Sequence, residues 1–209
     1  MKIYLADMNR GEVHNLLGGA IAPLPITLIS TIGEDSIYNA APYSFVSPVN
    51  IKPPVICVAI SVFYGAAFPA REGQRKDTLK NIEFSGDFVV NIMAESLIDP
   101  TVQTSAAYPA DVNEIQQVGL TAIGGEKVKS PRIAEAQVSF ECRLVQKIEL
   151  GEGQDSRGIV FGEVVLAHVK DGLWVDGKIE SSKLKAVGRL GTGLYCRTGD
   201  IFEVKATPI

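Results

Sequence analysis

Four stretches of the chain carry side chains that could hold an anion. Ser30-Thr31 closes an apolar run, Lys76-Asp77-Thr78 opens a helix-like segment, and Arg189 sits in Gly188-Arg189-Leu190-Gly191. The fourth, Asn39-Ala40-Ala41-Pro42-Tyr43-Ser44, is small and polar, with Ser47 close behind. A helix N-terminus beside a lysine is a natural anion site, because unpaired N–H groups and a cation converge there. Small residues let a ligand approach the backbone, and Asn39, Ser44 and Ser47 can hydrogen-bond what approaches. Each stretch also has a plainer reading. Lys-Asp-Thr can be a solvated helix start. Residues 39–44 can be an irregular edge strand, since Pro42 lacks a ladder donor and Ala and Asn have low strand propensity.

Other chemistries lack their residues. There is no Gly-x-Gly-x-x-Gly after a strand, no phosphate loop ending in Gly-Lys-Ser/Thr, and no Gly-x-Ser-x-Gly elbow. The only histidines are His14 and His168, and no set of residues has metal-ligand spacing. An enzyme built from this chain would leave the chemistry to a cofactor and supply binding and electrostatics. A formal net charge of -4 argues against a nucleic-acid partner, which needs a concentrated basic face. Cys57, Cys142 and Cys196 form neither a Cys-x-x-Cys pair nor a disulfide framework, so free thiols in a reducing cytoplasm are expected. Charge interrupts the N-terminal residues too early for a signal peptide, and no apolar run is long enough for a membrane span.

The elements that must position these groups are mostly strands. Pro25 to Ile60 reads as a three-strand meander, with Gly33-Glu34-Asp35-Ser36 closing a hairpin and Val55 to Ile60 a strand buried on both faces. Residues 1–24 form an entry segment on the outside. Asp77 or Thr78 is expected to cap a short helix that Gly86 stops, with Asp77 capping the backbone or pairing with a cation such as Arg75. Asp87 to Met93 is a strand. Ala94 to Gln117 is helix and loop, and Leu120 to Ile123 is extended. Ala136 to Leu150 alternates, with Val138, Phe140, Cys142 and Leu144 on one face and Ser139, Glu141 and Arg143 on the other. Gly158 to Val169 is its partner strand, and a short helix is expected near Ser182 to Val187. The loop Val62-Phe63-Tyr64-Gly65-Ala66-Ala67-Phe68 has little polar cover and predicts an apolar patch that a two-fold dimer would bury. At 209 residues with 46% hydrophobic and 21% charged, the chain suits one domain spanning 1–209, an antiparallel barrel with few helices.

The order and spacing of several segments resemble the flavin reductase-like family. They are Pro25-Ile-Thr-Leu-Ile-Ser-Thr31, Asn39-Ala-Ala-Pro-Tyr-Ser-Phe45, Pro53-Pro54, Lys76-Asp-Thr-Leu79 and Asp87-Phe-Val-Val-Asn91. Glu141-Cys-Arg-Leu144, Phe161-Gly-Glu-Val164 and Gly188-Arg-Leu-Gly191 continue the series. The resemblance implies a mainly-β chain: a split antiparallel β-barrel of Greek-key type that binds FMN, with a few short peripheral helices. It implies a homodimer with flavin near the interface. Ser30, Thr31, Lys76 and Thr78 would lie near the phosphate and ribityl chain. Residues 39–44 (Asn39, Ala40, Ala41, Pro42, Tyr43, Ser44) and Ser47 would face ribityl and ring, with Asn91 and Arg189 close by. The implied function is NAD(P)H:flavin oxidoreduction that feeds free flavin or a partner monooxygenase. The alternative is a flavoredoxin-like carrier reduced by a redox protein. Many NADH-using members carry Gly-Asp-His between the two late strands. Here the turn reads Gly153-Gln154-Asp155-Ser156-Arg157-Gly158, without histidine, which favours the carrier slightly. His168 lies further along and is read as structural before catalytic.

Overall fold

A computed structural model describes residues 1–204. In chain order, helix α1 (Arg10–Ala20) precedes strands β1 (Leu24–Pro25), β2 (Thr27–Ile32), β3 (Tyr38–Tyr43), β4 (Val46–Ile51) and β5 (Pro54–Ser61). Helix α2 (Asp77–Ser85), β6 (Asp87–Ile92), α3 (Ile98–Gln103) and α4 (Glu114–Gln117) follow. Then come β7 (Ala122–Ile123), β8 (Arg132–Ile133), β9 (Val138–Leu150) and β10 (Arg157–Val169). The last elements are β11 (Trp174–Val175), β12 (Lys178–Ile179), α5 (Ser181–Leu184), β13 (Val187–Arg189) and β14 (Tyr195–Arg197).

Seven strands form one antiparallel sheet in the order β3-β2-β6-β9-β10-β5-β4. The edge strands β3 and β4 are consecutive in sequence, so the chain itself closes the sheet on itself at Ser44-Phe45. There the Ala59 N–H donates to the Phe45 carbonyl at 2.9 Å. This is a split barrel. Its interior is filled by Ile29, Val58, Ile60, Phe88, Val90, Cys142 and Val160, with Leu79 and Ile82 of α2 plugging one end. Gly162 is required where the wall meets Phe88. A Cβ there would lie 2.9 Å from Cys142 Cβ and closer still to the Phe88 ring. A ligand therefore has to bind at the wall and not in the lumen.

The meander contains four strands, not three, because Val46–Ile51 pairs with β5 although its sequence does not alternate. Val58 and Ile60 of β5 enter the core while Cys57 and Ala59 are only half-buried, so β5 is buried on one face, not both. Residues 39–44 do run along a sheet edge. Gly86 stops α2 in the left-handed conformation at φ 74°.

The polar face of β9 is covered at Ser139 and Glu141 and opens to solvent at Arg143. Ser139 and Glu141 are 3% and 0% exposed, because residues 118–136 fold over the outer side of the sheet. Glu141 accepts from the N–H groups of Glu126 (2.9 Å) and Lys127 (2.6 Å). His168 Nε2 lies 2.7 Å from the same carboxylate. Burial pushes the Glu141 carboxyl up, but these partners outweigh it and hold it below the ordinary value. His168 is thus a structural ligand of a buried acid, as the sequence suggested.

Candidate functional site

The site is built around the N-terminus of α2. Lys76 occupies the N-cap position, its N–H bonded to the Val62 carbonyl at 2.9 Å, and no side chain caps the helix. Asp77 does not cap it and does not pair with Arg75, which is bound to Glu83 at 2.8 Å. Instead Asp77 and Arg71, 6% and 7% exposed, form a buried two-pronged ion pair. Tyr64 OH donates to Asp77 at 3.0 Å, and Arg71 Nη1 also reaches the Tyr108 carbonyl at 2.7 Å. This pair staples the 62–76 loop to the helix start and to the 108 loop. The aromatic loop is therefore not an exposed patch: Tyr64 is 4% exposed and packs edge-on against Phe68. The sequence argument for dimerisation from Phe63, Tyr64 and Phe68 loses its premise.

Lys76 is half-buried, with Nζ 3.9 Å above the Tyr64 ring and 4.6 Å above Phe68. Burial lowers its pKa to about 8, with nearby Arg71 and Arg157 pushing the same way against Glu114 and Asp77. Opposite the lysine, Asn39 of β3 and Thr78 of α2 are joined: Thr78 Oγ1 donates to Asn39 Oδ1 at 3.0 Å. Thr31 Oγ1 donates to the same oxygen at 3.3 Å and accepts from Asn81 at 3.1 Å. The Asn39 amide donates to Glu114 Oε2 at 2.6 Å, and Ala40 N–H donates to that oxygen at 2.7 Å. Glu114, 3% exposed, has its pKa raised to about 8 by burial and by Asp77, against the Ala40 N–H, Arg71 and Lys76.

These groups surround a cavity of about 220 Å³. One wall is Asn39, Ala41, Pro42, Tyr43 and Ser44; the α2 side gives Lys76 and Thr78, and Arg189 closes an end. Arg189 Nη1 donates to Ser44 Oγ at 3.3 Å. The structure thus brings together eight of the residues singled out from sequence. It also adds Ser61, Tyr64, Thr104, Ser105, Glu114, Arg157 and His14. These come from strand ends, loops and helices distant in sequence and lack a local motif.

The remaining candidates lie elsewhere. Ser30 and Asn91 face the outer side of the sheet. Asn91 donates to Ser30 Oγ and the Leu28 carbonyl, both at 2.9 Å, and accepts from Ile133 N–H and Ser139 Oγ. Ser30 donates to the Pro131 carbonyl. Every polar atom of this pair is spent on the fold. Thr31 is fully buried behind Asn39, Ala40 packs into a second apolar cluster with Leu28 and Ile115, and Ser47 is exposed on β4.

The donor set suits a flavin. Ala41, Pro42 and Ala59 leave room for a flat ring against the backbone, while Lys76, Thr78, Ser44 and Ser61 offer groups to polar ring edges and phosphate. No helix among the described residues is long and apolar enough to cross a membrane. Over 98% of both chains the fold is similar to nitrilotriacetate monooxygenase component B from Bacillus cereus (32% identity, TM-score 0.89). It is similar to the 2-nitrobenzoate 2-nitroreductase NbaA of Pseudomonas fluorescens at 27% identity and TM-score 0.86, covering 99% and 96% of the two chains. Flavoredoxin of Desulfovibrio vulgaris shares the fold at 22% identity and TM-score 0.74, with 99% and 97% covered. A curated relative from Aquifex aeolicus is 33% identical over 198 residues, 94% of this chain and 95% of its own. The family model described as "Flavin reductase like domain" matches residues 20–182. That match spans the barrel and the cavity wall, and the chain belongs to the flavin reductase-like family.

Proposed function

We propose that the protein binds FMN in the β3–α2 cavity and works as an NAD(P)H:flavin oxidoreductase, passing electrons to free flavin or to a partner oxygenase. The observation that carries this is Lys76 at the open N-terminus of α2, facing a strand of small residues across one cavity. Lys76 and the α2 N–H groups would hold the phosphate, and Thr78 and Asn39 the ribityl chain. The residues 41–44 would lie along the ring. A bound flavin supplies the electron chemistry, accepting a hydride from the nicotinamide and giving two electrons onward. The protein's own part is to bind, orient and exclude water. The relative named as a monooxygenase component supports an oxygenase partner. A homodimer in the cytoplasm, with Cys57, Cys142 and Cys196 as free thiols, completes the reading.

A second reading, an electron carrier reduced by a protein, is favoured by the 153–158 turn, which has no histidine. Anaerobic mixing with NADH and NADPH decides. Bleaching of the flavin absorbance within seconds establishes the reductase. Flavin that stays oxidised with both nucleotides but is reduced by a protein donor establishes the carrier. A colourless protein that takes up no added FMN refutes both.

A further inference from the structure

The outer face of the sheet carries a separate cavity of about 380 Å³, which shares no lining residue with the β3–α2 cavity. Its floor is the open end of the β9–β10 hairpin. Ser139 lies opposite His168 there, and the Lys170 N–H donates to the Gln137 carbonyl at 3.0 Å. Its wall is Arg132 and Ile133 of β8 with the turn that follows. Pairing with β7 and the bond from Ile133 N–H to Asn91 Oδ1, at 3.0 Å, hold β8 over the sheet.

Arg132 is the anomaly of this face. Its Nε is the one fully buried side-chain nitrogen or oxygen among the described residues with no hydrogen-bond partner. The rest of its guanidinium makes no hydrogen bond either, and among the described residues no carboxylate lies within ion-pair distance of it. Arginine cannot shed its proton to escape burial, and a desolvated donor left unpaired is costly. An oxygen bound on the open end of the fork would relieve the whole group, because the charge is shared by all three nitrogens. No Asp or Glu lines the cavity. The acids beside it are engaged: Glu141 by the Glu126 and Lys127 N–H groups and His168, and Glu135 by the Thr121 N–H at 3.1 Å. Glu135 also attracts Lys170, whose Nζ donates to the Glu135 carbonyl at 3.0 Å. Lys170 is thus partly neutralised, and Arg132 is the cation left over.

We infer that Arg132, with Lys170 and Gln137, forms a binding site for a phosphate-type oxyanion on the outer face of the barrel, apart from the flavin cavity. The donors come from β8, from the residue before β9 and from the residue after β10. Three directions of approach suit a tetrahedral anion; a planar carboxylate would match the arginine fork alone.

The test is calorimetric titration of inorganic phosphate into the full-length protein, loaded with one equivalent of FMN and freed of excess. Phosphate should bind without releasing flavin and should raise the melting temperature. Arg132→Met, which keeps the apolar stem, should weaken phosphate about ten- to a hundred-fold and abolish the thermal shift. The variant should melt no lower than wild type, since a desolvated charge is removed and no bond is lost. Lys170→Met should weaken phosphate less, about three- to tenfold, because Glu135 already offsets its charge. Absence of binding, or unchanged binding in Arg132→Met, overturns the inference. Acetate bound as tightly as phosphate overturns the tetrahedral assignment. Glycerol 3-phosphate bound tighter than phosphate assigns the site to a small phosphate monoester, and the reverse order to free phosphate; both support it. Should Arg132→Met fail to fold, Lys170→Met decides: weaker phosphate supports the site and unchanged phosphate refutes it. If the protein takes up no flavin, the same titration on the flavin-free chain applies, and binding that depends on Lys76 but not on Arg132 refutes the site.

Discussion

Replacing Glu114 by Gln should make the protein more stable at neutral and mildly alkaline pH. The carboxyl sits 3% exposed against the edge of β3, and its pKa rises from an ordinary 4.5 to about 8. Between those two values the folded chain holds a proton that the unfolded chain has lost. Stability of the wild type must therefore fall as pH rises through that window. The slope is at most about 1.4 kcal/mol per pH unit. Over three units, with about 2–4 °C per kcal/mol for a chain of this size, the melting temperature should drop on the order of 10 °C relative to the variant. A glutamine oxygen can still accept from Asn39 Nδ2 and Ala40 N–H, so the geometry survives and only the ionisation is removed. The assay is thermal melting of the flavin-free protein and Glu114→Gln from pH 5 to 8.5. The two curves should be close at pH 5 and diverge toward pH 8. Parallel curves would show that Glu114 ionises normally and refute the reasoning.

Four further outcomes follow from the site and the barrel wall. Lys76→Met, which keeps the apolar stem over Tyr64, should raise the Kd for FMN about ten- to a hundred-fold and leave riboflavin unchanged; equal weakening of both would remove the phosphate role. In the wild type, FMN but not riboflavin should bind less tightly as pH rises through about 8, where Lys76 loses its proton. Asp77→Asn strands the Arg71 guanidinium and should cost about 3–5 kcal/mol in urea unfolding; a loss under 1 kcal/mol would mean the pair contributes little. Gly162→Ala should cost about 1–3 kcal/mol through its clash with Phe88, and Phe88→Leu in that background should recover part of the loss.

The sequence made the local geometry legible and left the distant partners hidden. The Gly86 stop and the interior face of β9 follow from left-handed glycine and alternation, whereas α2 begins at Asp77 without the side-chain cap expected from Asp77 or Thr78. Asn39 and Thr78 were found because each sits in a compact polar motif. Ser30 and Asn91 were misplaced for a reason available beforehand. Neighbours on a strand face opposite sides, so Ser30 and Thr31 could not both turn toward one ligand. Strand β4 was missed because Ser47, Pro48 and Asn50 give no alternation; its register comes from β5. Arg71 as the partner of Asp77, and Glu114 as the partner of Asn39, needed the folded chain, since one polar residue in a loop carries no periodic signal. The cover over Ser139 and Glu141 was invisible for the same reason.

The composition that makes residues 38–43 a poor inner strand also governs how copies of this chain can meet. Ala40 points its N–H away from β2, into Glu114. Along an antiparallel strand this makes Tyr38 and Pro42 the other residues with outward-facing backbone. Pro42 has no proton to offer and that of Ala40 is taken, so only Tyr38 retains a free outward donor. This edge is a poor template for a strand of a neighbouring molecule, which is a guard against fibre-like stacking.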